Sequence, residues 1–126
     1  MIQGYPKDIF DVGNAIVTVI DEHIVIFEAD PETVIDKNAA QSFYDEIERH
    51  VNGDYSLVIN RKNKYQLLRF EVFDIINSRN RLKGLAIVAA KDSAKKMAAI
   101  EAPLSKKPFA TFSTVDEAIA WLRTFH

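Results

Sequence analysis

Two stretches of this chain are almost wholly apolar: YSLVI at residues 55–59, with Ser56 its one polar residue, and GLAIVAA at 84–90. A strand wetted on one face alternates apolar and polar residues, whereas a strand covered on both faces has no polar parity to keep. Both runs therefore read as buried strands. Between them, residues 65–78 place Leu68, Val72, Ile75 and Ile76 on one helical face. A covered strand, a one-sided helix and a second covered strand call for a layered α/β arrangement, because parallel neighbours need a crossover and the crossover helix supplies the cover.

The rest of the chain extends this alternation in both directions. NAIVTVIDEHIVIFEA, residues 14–29, reads as two strands around a polar turn at Asp21, Glu22 and His23, a spacing that fits a hairpin. Asp30 and Pro31 stop the second strand, since proline offers no N–H to a ladder. Ala40, Phe43, Ile47 and Val51 share a helical face, with Asn52 and Gly53 supplying the stop. After residue 90, Asp92 or Ser93 is placed to cap a helix carrying Ala94, Met97 and Ala98 on one side. Pro103 and Pro108 bracket a loop, and PFATF is a last strand. Ser113 with Asp116, or Thr114 with Glu117, can form a capping box for a helix striped by Val115, Ala118, Leu122 and Phe125, with Trp121 beside the stripe. The predicted fold is an N-terminal β-hairpin followed by helix–strand units: a mixed, mostly parallel five-stranded sheet with four helices, residues 1–126 forming a single domain.

The 126 residues are 48% hydrophobic, enough for a self-sufficient core. Sixteen Lys and Arg stand against 18 Asp and Glu, a net charge of −2 that creates no global field for nucleic acid or an anionic membrane. The absence of cysteine excludes disulfides, thiol catalysis and Cys-ligated zinc. The N-terminus has no apolar core of signal-peptide length, and no segment reaches the roughly 18 apolar residues of a membrane span. A cytoplasmic location is expected.

The hairpin, the helix–strand units and the closing PFATFSTVDEAIAWL, with Ala118, Trp121 and Leu122 in A-x-x-W-L, resemble the SpoIIAA-like proteins of the STAS superfamily. The resemblance implies a non-catalytic binding module, engaged in protein–protein recognition in a bacterial regulatory system. In the anti-sigma-factor-antagonist branch a partner kinase phosphorylates a serine at the start of the second main helix. The corresponding stretch here, NRKNKY, holds no Ser or Thr, so that phosphosite is not carried over.

That stretch is also the chain's most chemical segment. Asn60, Arg61, Lys62, Asn63 and Lys64 follow a buried strand, and three cations sit where the positive end of a helix starting at residue 65 would point. Strand-to-helix loops at the carboxyl edge of a parallel sheet are the usual binding edge of α/β proteins. These five residues are the predicted contacts to an acidic protein partner or small anion. As solvated side chains, Arg61 and Lys64 should be replaceable by Ala with little change in stability. The alternative is a small-molecule or lipid carrier with an apolar pocket between sheet and helices.

Other chemistries lack a pattern. His23, His50 and His126 have no ligand spacing, which leaves no metal predicted. Glu28 and Asp30 are two apart at a strand end, a solvated edge more than an acid–base pair. Neither a nucleophile elbow nor a phosphate-binding loop occurs, so no catalytic residue and no cofactor are predicted. Tyr65, Phe70 and Phe73 flank the basic loop, with Phe70 and Phe73 expected to pack on the sheet. Nucleic acid is not expected as a partner. An edge strand or exposed helix face could pair two copies as a homodimer.

Overall fold

In a computed structural model that describes residues 8–126, the hairpin forms first. Strands β2 (Ala15–Val19) and β3 (Ile24–Ala29) pair antiparallel, with Val19 opposite Val25. Their turn needs no glycine. Asp21 Oδ1 accepts from the backbone N–H of His23 at 2.8 Å and of Ile24 at 3.0 Å, a side chain standing in for the turn's backbone bond.

A strand absent from the sequence expectation precedes the hairpin. Strand β1 (Asp8–Asp11) pairs antiparallel with β2, which makes the main sheet six-stranded rather than five-stranded. Asp8, Ile9 and Asp11 are exposed on this edge, so the strand carries no burial pattern to read. Gly13, at φ +107°, makes the turn into β2.

After β3, a two-residue strand β4 (Val34–Ile35) leads into α1 (Lys37–His50). The Asp36 carboxylate caps this helix by accepting from the Ala39 N–H at 2.9 Å. Ala40, Phe43, Tyr44 and Ile47 are its buried face. Strand β5 (Tyr55–Asn60) then lies between β3 and β7 (Leu82–Val88), parallel to both.

The helix expected from residue 65 starts later. Gln66–Leu67 is a short strand, β6, parallel to β4, and α2 spans Arg69–Ser78. Two backbone bonds hold the extra residues extended: the Gln66 N–H to the Thr33 carbonyl at 2.8 Å and the Leu68 N–H to the Ile35 carbonyl at 2.9 Å. Phe73 is buried, as expected, but Phe70 lies on the outer side of α2 at 72% exposure.

Helix α3 (Asp92–Glu101) starts with Lys91 at its N-cap position and has no side-chain cap there; Asp92 and Ser93 lie inside the helix instead of capping it. A single 3-10 turn (Ala102–Leu104) leads to β8 (Phe109–Phe112), parallel to β7. Helix α4 (Val115–Arg123) closes the described chain with one of the two expected boxes. The Thr114 hydroxyl accepts from the Glu117 N–H at 3.2 Å and donates to Glu117 Oε1 at 2.9 Å.

The main sheet runs β1-β2-β3-β5-β7-β8. One face carries Val25, Phe27, Leu57, Ile59, Leu85 and Ile87, which pack with buried residues of α1, α2 and α3. The other carries Ile24, Ile26, Val58, Ala86 and Val88 under Ala118, Ile119 and Leu122 of α4. Covered on both faces, β5 and β7 are apolar over most of their length for that reason, without polar alternation. Gly84 lets α4 come close: a Cβ there would meet Leu122 Cδ2 at 3.1 Å. Among the described residues no helix is long and apolar enough to cross a membrane.

Candidate functional site

Strands β5 and β7 end side by side, Asn60 opposite Val88, and the Arg61 N–H still reaches the Val88 carbonyl at 2.9 Å. The basic loop therefore leaves the sheet at its carboxyl edge, next to the start of α3. Because α2 begins only at Arg69, the cations do not crowd a helix N-terminus as the sequence suggested.

The five loop residues divide into two kinds. Arg61 is 5% exposed. Its Nη2 donates to Glu101 Oε1 at 2.5 Å, and its Nε donates to the Tyr65 hydroxyl at 3.1 Å. Glu101, on the last turn of α3, is fully buried. Asn63 Nδ2 donates to the Ala29 carbonyl at 3.1 Å and so pins the loop to the end of β3. Asn60 is half-buried at the strand end. Lys62 and Lys64 are the exposed members. The Lys62 ammonium, on an exposed side chain, sits 2.7 Å from Glu28 Oε2, an oxygen that is itself buried. Lys64 anchors through its backbone, its carbonyl accepting from the Glu32 N–H at 2.9 Å.

Burial reverses the expectation that Arg61 is freely replaceable. Two charges taken from water cost several kcal/mol each, and removing one strands the other. Burial pushes the Glu101 carboxyl above the usual carboxylate range, with Arg61 pulling it back by charge and hydrogen bond and Arg69 by charge. Burial likewise raises the Tyr65 phenol, against the lowering effect of Arg61. The pair is incompletely satisfied: Arg61 Nη1 and Glu101 Oε2 are buried with no hydrogen-bond partner.

Two cavities meet at this point. An outer groove of about 240 Å³ is lined by residues 61–65 together with Lys91, Ser93, Ala94 and Met97. An inner chamber of about 40 Å³ lies between the sheet and helices α1 and α2, walled by Phe27, Phe43, Tyr44, Phe73 and Ile76 among others. Arg61 and Tyr65 line both. Lys91 and Ser93 are the site residues that sequence reasoning missed. They signal themselves only as the N-terminal turn of α3, and their nearness to the loop follows from the β5–β7 pairing.

The histidines weighed in the sequence lie elsewhere, whereas Glu28 sits beside the basic loop through Lys62. His23 and His126 stack with ring centroids 4.8 Å apart, and Ser56 Oγ lies 2.8 Å from His126 Nε2. His50 stacks on Phe10 and meets Asp8 Oδ2 at 2.7 Å. No group of three or more His, Cys, Asp or Glu among the described residues could hold a metal ion. Compared with family models, curated proteins and solved structures, the chain matches none.

Proposed function

We propose that this chain is a non-catalytic recognition module of the STAS, SpoIIAA-like kind, acting in a bacterial cytoplasm, whose outer groove takes an acidic group of a partner protein or a small anion. The observation that carries the reading is the groove itself. Lys62, Lys64 and Lys91 stand around it, and the first turn of α3 adds backbone N–H groups that no side chain caps. The hairpin, the helix–strand order and the capped closing helix support the family reading. An inner chamber of about 40 Å³ has room for only a few water molecules, which gives the rival carrier reading little support.

The test is to capture binding partners on the immobilised chain and on a Lys62→Ala, Lys64→Ala, Lys91→Ala variant. The expected result is an acidic ligand held by the wild type, released at raised ionic strength and absent from the variant. Identical bound sets would contradict the reading.

A further inference from the structure

The donors around the groove are unequal in a way that selects among anions. A carboxylate is best held by the two-pronged fork of a guanidinium. The Arg61 fork is already committed, its Nε to Tyr65 and its Nη2 to Glu101. What remains of it is Nη1, buried and without a partner, on a side chain that lines the groove. The other donors are point-like or single: the exposed ammoniums of Lys64 and Lys91, the Ser93 hydroxyl, and the uncapped N–H groups opening α3, a helix of 10 residues. A set of separate donors approaching from several directions suits a tetrahedral anion with three terminal oxygens better than a planar one. Ala94 and Met97 add an apolar wall for whatever carries that anion. At about 240 Å³ the groove has space for on the order of twenty water positions, more than a phosphate ion alone requires.

Resting on the reading of the groove as an anion site, we propose that the group it takes is a phosphoryl group, carried either by a small phosphate ester or by a phosphorylated side chain of a partner. Arg61 Nη1, Lys64, Lys91, the Ser93 hydroxyl and the first N–H groups of α3 share its oxygens. Ala94 and Met97 meet the carrier.

The experiment titrates isotope-labelled protein with phenyl phosphate, with benzoate, and with a serine peptide in phosphorylated and unphosphorylated form, following backbone amides by NMR. Phenyl phosphate should bind about tenfold more tightly than benzoate and move the amides of Ser93 and Ala94. Lys64→Ala and Lys91→Ala, both at exposed positions, should each weaken phenyl phosphate binding about two- to fivefold. A phosphopeptide that binds more tightly than phenyl phosphate would support the proposal with a protein source. Equal binding of the two would support it with a small ester. If benzoate bound as tightly as phenyl phosphate and moved the same amides, the phosphoryl assignment would fall while the anion site stood. If no probe moved residues 61–65 or 91–94, both would fall.

Discussion

Arg61 and Arg81 lie near opposite ends of the central sheet, and the two guanidinium groups are used in contrasting ways. Near the start of β7, Arg81 donates to three carbonyls that end α1 and the loop after it: Nη1 to Glu48 at 3.1 Å, Nη2 to Val51 at 2.5 Å and Nε to Gly53 at 2.8 Å. Those are orphan groups of a helix C-terminus and its exit, and every Arg81 nitrogen is occupied. Just past the end of β5, Arg61 is more deeply buried yet keeps one nitrogen without a partner, beside a glutamate that also keeps one free oxygen. An arginine whose donors all end on backbone is part of the architecture. One that is buried but unsaturated, and that lines a groove, keeps a donor whose hydrogen bond the fold itself does not supply. The surroundings differ in charge as well. The groove beside Arg61 has three lysines, whereas a cleft of about 500 Å³ elsewhere on the chain is lined by Asp8, Asp21 and Glu22 with His50.

Arg61→Ala gives the largest expected effect. Glu101 would be left buried and uncompensated, a loss of about 3–5 kcal/mol in chemical denaturation. The double change Arg61→Met, Glu101→Leu should restore or exceed wild-type stability, because it removes both charges together. A single variant as stable as the wild type would show that Arg61 is not held inside. The pH dependence adds a sign. Glu101 is raised in the folded chain, so the folded state keeps that proton to higher pH than the unfolded one. Its contribution is therefore full in acid and is lost as pH climbs above the usual glutamate range. The advantage of the double variant over wild type should grow across that window and shrink below it.

Arg81→Ala should cost about 1–3 kcal/mol, since it removes charge-assisted bonds to three carbonyls at a partly wetted site. Amide exchange should quicken around residues 48–53. An unchanged exchange pattern would deny Arg81 its capping role and blur the contrast with Arg61. Removing the Thr114 hydroxyl by Thr114→Ala should cost about 1 kcal/mol, which thermal unfolding can read. The smallest effect belongs to Lys64→Ala, within about 0.5 kcal/mol of wild type in stability. A larger loss would make Lys64 architectural as well.

The division between the two regions was only half legible in the sequence. Apolar runs and one-sided helices point to β5, β7 and the four helices, because burial on both faces or one leaves a periodic trace. Strand β1 left none, its outward residues being polar or exposed, and β4 and β6 are each two residues long, too short for any period. The missing β6 is why α2 was expected to start at residue 65. The basic loop was visible, but the fate of Arg61 was not, because its partner lies 40 residues further on. One signal did exist. Glu101 falls on the same side of α3 as Ala94 and Ala98, an acid on an apolar stripe, and such a residue is rarely buried without a partner. Which of the basic residues would turn inward to meet it depends on the end of β5, where Arg61 is still bonded to β7 while Lys62 has left the sheet.

The most direct measurement is a residue-resolved NMR titration of the whole chain with an acidic probe, phenyl phosphate, read at both guanidinium sites and the amides around them. The expected result is a saturable response at Arg61, Tyr65, Ser93 and Ala94, with Arg81, Val51 and Gly53 unmoved. A response at the Arg81 end instead, or equal small shifts at both ends, would contradict the assignment of recognition to the lysine-lined groove.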